Sequence, residues 1–419
     1  MGELIYLPAI NGSNLDWGKY VDEMVDKLGF NHNFLYEDKS VHYYPRFLIS
    51  YYYGRQYDNI KKKFGFKNIF IKGDSGGFQN ITMDANLDPV DVMKWQQENC
   101  DSGLILDHPP FKKIEGSAQF GATTDAIYND ALAKTVKNAN IAMKHWTDDK
   151  FKLYGVVQGD TVKRQEKWLQ AMLDVEKQNS REFSGWSLSP KPSHDIKQIA
   201  NHAANFIEAG ITNKPIHILQ ISGFESLAMS AYVSKFFTAE VTVDSSTFNV
   251  GRIYFTYFSP FNFKDKWDFG GRDPVSLKKV ACDCPVCVKV EQKHFTYDEW
   301  EHRTPPGSLI SLHNLYQILK YVKFLNALKD DDKLFKKFCL KNFGQKFINV
   351  CDYLDEVSKF GKQDSYRNNV VKSHKLSSWM DAEEINVNQI REERIELLKK
   401  EFPGIAETGI DALYKHRWG

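Results

Sequence analysis

Short apolar runs alternate with amphipathic stretches between about residues 66 and 250. The runs cover residues 68–72, 104–106, 153–157, 183–188, 217–221 and 241–243, each with a polar residue at its end. Helices are expected between them at 127–147, 160–179 and 195–209. A further helix is expected to begin with Asp88 as N-cap and Pro89 at its first turn. Alternating strands and helices predict a parallel sheet.

The number of repeats favours a closed sheet over an open one. At least six strand–helix repeats, together with the apolar segment LIYLPA near the start, predict a (β/α)8 barrel of the TIM type, with its main part over residues 1–270. From about residue 331 the chain becomes highly charged and helical in pattern, as in KDDDKLFKKFCLKNFGQKF and EEINVNQIREERIELLKKEF. We therefore predict a C-terminal helical extension over 331–419, with loops near 361–377.

Length and charge narrow the classes of protein. A chain of 419 residues is too long for one small domain and suits a large barrel with appendages. The net charge of +1 gives no global attraction to nucleic acid, so any polyanion site must be a local patch. We find neither a run of about 18 apolar residues nor a secretory signal pattern in MGELIYLPAINGSN, so we expect no membrane partner.

Polar side chains end four of the predicted strands. They are Asp74, Asp107, Gln158 and Asp244. Active sites of barrels of this kind lie at the carboxyl ends of the strands, so four such side chains would converge on one site. Any single acid in this position is equally well explained as a helix N-cap or a turn former. The four together, beside the glycines of KGDSGGFQN, favour a site.

Three of the six cysteines are crowded into ACDCPVCVKV. Cys282, Cys284 and Cys287 form C-x-C-x2-C, and His313 follows after 25 intervening residues. Three thiolates and one imidazole make a closed, structural Zn²⁺ site, so we predict a zinc-binding subdomain, with the last barrel helix, over 271–330. His302 is a rival fourth ligand; His313 is preferred because it is expected to open a helix. The alternative is a chance cluster of cysteines in a turn.

The remaining cysteines are scattered and do not suggest a disulfide framework. Cys100, Cys339 and Cys351 lie far apart in segments with a helical pattern. A reducing cytoplasm with one metal site is the simpler interpretation.

These motifs together resemble the tRNA-guanine transglycosylase superfamily. The C-x-C-x2-C-x25-H pattern is similar to its zinc motif, and DSGGFQ to its acid/base loop. VVQG and VDSS fall where its base-reading glutamine and nucleophilic aspartate would lie, and the 38-residue step from Asp244 to Cys282 also fits. The resemblance covers roughly residues 65–320. It implies a (β/α)8 barrel with a zinc-binding insertion, in agreement with the pattern.

The resemblance also implies roles for the residues. Asp244 would be the nucleophile that holds the sugar covalently, as in retaining glycosidases. Asp74 would protonate the leaving base and deprotonate the incoming one. Asp107 would accept from the donors of guanine and Gln158 would donate to its O6. Further substrate-binding residues would be Ser75, Gly77, Phe78, Gly159, Gly185 and Gln220.

Departures from the tRNA enzymes point to a different polymer. After Asp244 the chain reads SSTFNVGRIYFTYF, with Arg252 in place of a basic grip on an anticodon loop. The loop SGWSLSPKP has no acid that would hold a cationic base, and no RNA-binding module is evident. These features resemble the DNA-acting 7-deazaguanine transglycosylases of phages and bacteria (DpdA-type). The resemblance implies exchange of guanine in DNA for the free base 7-cyano-7-deazaguanine, preQ0.

DNA contacts would come from basic and aromatic side chains. The candidates are Arg46, Arg55, Lys61, Lys62, Lys63 and Arg252, with the tyrosines of residues 51–53 stacking on bases. A solvated lysine face and a partly buried tyrosine trio are the plain alternatives. Other hypotheses are a tRNA-modifying enzyme, a non-catalytic partner subunit, and a metal-dependent barrel hydrolase. Whether the protein forms a homodimer or needs helper proteins is left open.

Overall fold

The structure is a computed structural model of the 419-residue chain. It describes residues 2–11, 21–31, 33–35, 40–65, 67–111, 123–190, 195–249, 256–259, 266–268, 282–295, 300, 302 and 304–360. The charged segment at 383–402 and the loops expected near 361–377 therefore lie outside the described residues.

Eight parallel strands close into a barrel, as predicted. The strands run in chain order around it, with β1 hydrogen-bonded to β8. Their bounds are Leu4–Ile10 (β1), Arg46–Ser50 (β2), Phe70–Asp74 (β3), Ser102–Leu104 (β4), Lys152–Gly159 (β5), Gly185–Pro190 (β6), Ile216–Ile218 (β7) and Val241–Ser245 (β8). The sequence pattern did not identify β2, because its five residues run directly into the tyrosines that follow.

Helices connect the strands and continue after the barrel. Those of the first 245 residues are α1 (Val21–Leu28), α2 (Tyr51–Gly54), α3 (Ile60–Lys63), α4 (Gly77–Thr82), α5 (Pro89–Asn99), α6 (Asp125–His145), α7 (Val162–Asn179), α8 (Ile196–Glu208) and α9 (Phe224–Ser234). Asp88 caps α5 by accepting from the Val90 and Asp91 N–H groups, and Pro89 opens that helix, as predicted. Thr124, Thr161 and Asp195 cap α6, α7 and α8 in the same way.

Side chains alternate between the inside and the outside of the barrel. A Cβ at Gly73 would lie 2.9 Å from Gln96 of α5, so this position of β3 faces the surrounding helices. Its neighbours Lys72 and Asp74 therefore face the barrel interior, because successive residues of a strand point to opposite sides. A Cβ at Gly155 of β5 would likewise meet Trp186 and Phe183, which puts the neighbouring Tyr154 inside.

The described residues divide into two compact units. The first holds those of Met1–Asn14, Pro45–Ser245 and Val350–Arg367, and the second those of Leu15–Tyr44 and Ser246–Asn349. Within the first unit, the Tyr232 hydroxyl of α9 lies 2.8 Å from both oxygens of Asp355 and donates to that carboxylate. The domain boundaries expected near residues 270 and 330 stay a prediction.

The second unit contains a short antiparallel pair and several helices. The strands are β9 (Thr256–Phe258) and β10 (Lys266–Asp268). Its helices are α1, already given, with α10 (Pro285–Lys289), a 3₁₀ turn (Gln292–Phe295), α11 (Thr304–Leu328) and α12 (Asp332–Phe343); the residues of α13 (Gln345–Phe360) are divided between the two units. The described part of the C-terminal extension is thus helical, as predicted. None of the described helices has both the length and the apolar character needed to cross a membrane.

Candidate active site and metal centre

Three carboxylates lie at the carboxyl ends of barrel strands. Asp74 ends β3, Asp107 follows β4, and Asp244 is the fourth residue of β8. Asp107 and Asp244 are buried, and Asp74 is partly exposed. We refer to these three residues as the carboxylate cluster. The strands bring to one end of the barrel carboxylates that are up to 170 residues apart in the sequence, as predicted.

Asp107 is held by side chains from both neighbouring strands. The Ser75 hydroxyl donates to its Oδ1 at 2.9 Å, and the Gln158 amide Nε2 donates to its Oδ2. Gln158 is fully buried and its Oε1 has no partner among the described residues. A Cβ at Gly77 would lie 2.4 Å from Asp107 Oδ1, so a glycine is required where α4 meets this carboxylate.

Asp74 has a raised affinity for a proton. Its Oδ2 accepts from the Gly76 N–H at 3.2 Å, and Gly76 has a φ of 83°. Burial raises the pKa of Asp74 to about 7, and the charges of Asp107 and Asp244 act in the same direction. A carboxyl group with such a pKa can give up and take back a proton near neutral pH.

Asp244 accepts a hydrogen bond from a strained backbone position. The Gln220 N–H donates to Asp244 Oδ1 at 2.9 Å, and Gln220 has a φ of 61°, which is uncommon for a residue with a side chain. His217 Nε2 lies 3.4 Å from the same oxygen, and His217 Nδ1 lies 2.8 Å from the Thr242 hydroxyl. Burial lowers the pKa of His217.

The other predicted substrate-binding residues fall into two groups. Gly159 ends β5 with a φ of 141°, and the Phe78 ring in α4 lies 5.9 Å from that of Phe111. Gly185, in contrast, begins β6, where a Cβ would lie 2.6 Å from the Tyr154 ring. The structure does not bring Gly185 to the carboxylate cluster, because the strand continues to Pro190. The residue of β6 in register with Gln158 is the buried Ser189.

The predicted nucleic-acid contacts lie at two ends of the barrel. Arg46 begins β2, and Lys61 pairs at 2.8 Å with Asp101, which immediately precedes β4, so both are at the amino ends. Lys62 and Lys63 share the short helix α3 with Lys61, and Lys63 lies over the Tyr57 ring at 4.9 Å. The structure does not group these four cations with the carboxylate cluster. Arg252 lies outside the described residues.

Arg55 is at the other end. It follows α2, which begins directly after Ser50, the register partner of Asp74. Its guanidinium lies 5.2 Å from the Tyr52 ring centroid, and the Tyr52 and Tyr53 rings are 5.1 Å apart. Of the predicted basic contacts, Arg55 is the described one on the side of the carboxylate cluster.

Three cysteines and one histidine converge in the second unit, as predicted from their spacing. The ligand atoms of Cys282, Cys284, Cys287 and His313 all lie within 4.8 Å of one another, and this Cys3His cluster could bind a metal ion. His313 Nδ1 lies 3.5, 3.3 and 3.4 Å from the three sulfur atoms in that order. Tetrahedral zinc with bonds of about 2.3 Å to sulfur and 2.0 Å to nitrogen gives S···N edges of about 3.5 Å. The residues therefore fit a tetrahedral ion.

Surrounding groups fix the orientation of these ligands. His313 Nε2 donates to the Phe258 carbonyl at 2.7 Å, which leaves the Nδ1 lone pair facing the sulfurs. The Cys287 N–H donates to Cys284 Sγ, and the Tyr257 ring stacks on the imidazole at 3.5 Å. His313 was expected to open its helix, but the structure places it in the interior of α11. That helix already begins at Thr304, with two prolines in its first turn. The choice of His313 over His302 is nevertheless the one that completes the cluster.

Two buried side chains near the carboxylate cluster were not singled out from the sequence. Lys72 stands two residues before Asp74, and His217 stands in the strand preceding that of Asp244. The period of two along a strand could have identified Lys72, since it places Lys72 and Asp74 on one face. No corresponding signal exists for His217, whose neighbour Thr242 is on another strand.

No protein-family model matches the chain, and no curated protein shows significant similarity to it. The case for a function therefore depends on the residues and their geometry.

Proposed function

We propose that the protein is a nucleobase-exchanging transglycosylase whose reacting groups are Asp244 and Asp74. The observation that carries the proposal is the pairing of a carboxyl group whose pKa is raised to about 7, Asp74, with the buried carboxylate of Asp244 at the same end of the barrel. Two carboxyl groups in environments that differ in this way suit an acid and a nucleophile.

The proposed reaction has two displacements. In the first, an Asp244 oxygen forms a bond to C1′ of the nucleotide while the C1′–N9 bond to guanine breaks, and Asp74 gives its proton to the leaving base. In the second, the incoming base loses a proton to Asp74 and its nitrogen attacks C1′, which releases Asp244. Proton and charge balance over the cycle, so the enzyme returns to its starting state without a redox partner.

Recognition of the base is assigned to Asp107 and Gln158. Asp107 is acceptor-only when ionised and suits the N1 and N2 donors of guanine. The amide of Gln158 already donates to Asp107, so its orientation is set before a base binds. A preorganised pair of this kind favours bases with donors on one edge and an acceptor beside them.

The proposed polymer is DNA and the proposed incoming base is preQ0. The support comes from the sequence: the segment after Asp244 is poor in basic residues, and the loop after β6 has no acid before Asp195 for a cationic base. A base in a duplex must be flipped out to reach Asp244, which costs a few kcal/mol. Tyr52 and Arg55 are the described side chains that suit stacking and phosphate contact on that side.

For the Cys3His cluster we propose Zn²⁺ with a structural role. Three thiolates and one imidazole complete a tetrahedral set, which leaves no position for a substrate or a water molecule. When bound, the ion would stabilise the fold of the second unit.

The test is base exchange into matched polymers. Purified protein is incubated with isotopically labelled guanine or preQ0 and with duplex DNA, single-stranded DNA or tRNA, and the nucleosides are then analysed by mass spectrometry. We expect label in deoxyguanosine positions of DNA. Equal or faster incorporation into tRNA would replace DNA by tRNA as the substrate, and incorporation into none of them would overturn the proposal.

A further inference from the structure

A lysine is buried inside the barrel without a hydrogen-bond partner. The Lys72 side chain is completely buried, and its Nζ has no partner among the described residues. The ammonium group lies 3.4 Å from the centroid of the Tyr154 ring on β5. A cation on an aromatic face retains some electrostatic stabilisation but no donor–acceptor bond. Burial of an ammonium group without a hydrogen bond lowers the stability of the fold unless nearby charges compensate for it.

The charged and titratable groups around Lys72 come from several strands. Tyr154 lies on β5, His217 on β7 and Asp244 on β8. Glu240 immediately precedes β8, and Asp74 is on the same strand as Lys72. On the neighbouring strands β2 and β4 the residues in register with Lys72 are Leu48 and Ser102, which carry no charge. Of these groups, Glu240 and Asp244 act on the lysine as anions.

We propose that Lys72 is a positioning residue that supplies the positive charge inside the barrel and thereby keeps the Asp244 carboxylate ionised for attack on C1′. The assignment rests on the proposed function, since it names a requirement of that reaction. Lys72 does not touch the substrate in this proposal; it acts through Asp244.

The need for a cation follows from the carboxylate cluster. Asp107 and Asp244 both disfavour the charged form of Asp74, so the three carboxyl groups act on one another electrostatically. A cation in the barrel interior offsets this repulsion and stabilises the negative charge that Asp244 needs as a nucleophile. The neutral form of His217 is favoured because burial lowers its pKa, so His217 does not provide the compensating charge.

The protonated and neutral forms of Lys72 are close in free energy near neutral pH. Burial lowers its pKa to about 7, while the charges of Glu240 and Asp244 oppose that change. Lys72 is therefore protonated most readily when Asp244 is ionised, and the two groups stabilise each other's charged form. Loss of the ammonium group removes the stabilisation from Asp244 without altering any contact to a bound base.

The primary experiment measures the ionisation of Asp244 directly. Protein labelled with ¹³C at the aspartate carboxyl carbon is titrated by NMR, and Asp244→Asn identifies the signal. Lys72→Met replaces the lysine with an apolar side chain of similar length. We expect the Asp244 titration to move up by at least about one pH unit, a tenfold rise in proton affinity. Lys152→Met, at the exposed start of β5, is the matched control and should leave the titration unchanged.

Kinetics provide a second readout with a distinct signature. In Lys72→Met we expect the acidic limb of the kcat/KM profile for base exchange to move up by at least about one pH unit, so that kcat/KM measured on that limb falls about tenfold. KM for the polymer should change less than twofold. Circular dichroism and thermal unfolding of both variants verify that the fold is retained.

The two readouts separate this inference from the proposed function. An Asp244 titration that stays in place in a folded Lys72→Met protein overturns the role of Lys72, whatever the kinetics. If the titration shifts in Lys72→Met while the wild-type protein exchanges no base into any polymer, the electrostatic role is supported and the transglycosylase proposal is overturned instead. If Lys72→Met does not fold, Lys72→Gln, which keeps a polar end of similar size, replaces it in both measurements.

Discussion

The carboxylate cluster of the barrel and the Cys3His cluster of the second unit gather ionisable groups in opposite ways. In the Cys3His cluster the three sulfur atoms and the imidazole nitrogen point at one another, and His313 Nδ1 is within 3.5 Å of each sulfur. In the carboxylate cluster each carboxylate has its own hydrogen-bond donor: the Gly76 N–H for Asp74, Ser75 for Asp107 and the Gln220 N–H for Asp244.

This difference separates a cluster that could bind a metal ion from one that we propose transfers protons. Ligand atoms directed at a common point leave no room for a substrate, so a change there is expected to affect stability. Burial and the nearby charges of Asp107 and Asp244 raise the pKa of Asp74, and a change at this site is expected to affect rate and pH dependence.

The largest effect is expected from Asp244, the proposed nucleophile. Asp244→Asn should lower base exchange by at least about 10⁴-fold, because an amide cannot form the covalent intermediate. Unfolding should be nearly unaffected, since an amide oxygen can still accept from the Gln220 N–H. Asp88→Asn is a suitable control, because asparagine caps helix α5 as well as aspartate does. Normal exchange in a folded Asp244→Asn protein would contradict the proposed mechanism.

A loss of stability is expected when a residue of the Cys3His cluster is replaced. Cys284→Ser should reduce bound zinc from about one per chain to well below half and lower the free energy of unfolding by about 4 kcal/mol. Elemental analysis and denaturant unfolding measure the two quantities. Cys339→Ala, which changes a buried cysteine outside the cluster, should keep its metal. Full zinc content in Cys284→Ser would show that the ligand set is a different one.

The pH dependence of stability tests the environment of Asp74. Its pKa is raised from 3.8 to about 7 in the folded protein, so the folded state binds an extra proton between these pH values. The resulting stabilisation is present below pH 3.8 and is lost as the pH rises through about 7. Relative to Asp74→Asn, the wild type should lose up to about 3 kcal/mol over this window, less than the full shift implies because the side chain is partly exposed. Denaturation at pH 4 to 8 measures this, and parallel curves would contradict it.

A smaller effect is expected at the glycine beside Asp107. Gly77→Ala would put a Cβ 2.4 Å from Asp107 Oδ1 and 2.5 Å from its carbonyl oxygen, so the loop or the strand end must shift. We expect a loss of about 2 kcal/mol in unfolding free energy and slower exchange. In Gly223→Ala the nearest atom would be 3.7 Å away, so this matched control should lose less, about 0.5–1 kcal/mol, because alanine replaces the N-cap glycine of α9. Equal stability of the two variants would show that the site relaxes easily.

The smallest effect concerns nucleic acid and distinguishes the two ends of the barrel. Arg55→Glu, on the side of the carboxylate cluster, should weaken DNA binding several-fold and reduce the slope of log K against log salt by about one or two. Lys62→Glu, at the amino-end side, should do neither. Fluorescence anisotropy at several salt concentrations measures both. The reverse pattern would restore the lysines of α3 as the DNA contacts.

Much of the site followed from the sequence because it depends on local patterns. Asp74, Asp107, Gln158 and Asp244 each end an apolar run, and the carboxyl ends of parallel strands meet at one end of a barrel. The assignment of Gly185 shows where this reasoning fails. Its strand begins and ends two residues later than the apolar run 183–188, so the register with β5 brings Ser189, and not Gly185, level with Gln158.

By itself the sequence determined the barrel, the Asp88 cap of α5 and the Cys3His cluster. These depend on periodicity, on short-range hydrogen bonds and on the spacing of a few residues, which are fixed along the chain. Only the tertiary structure decided which end of the barrel each cation occupies, how a glycine makes room for Asp107, and that Lys72 and His217 share an interior with Asp244. These properties depend on burial and on distances between strands, and the pKa of a group responds to both.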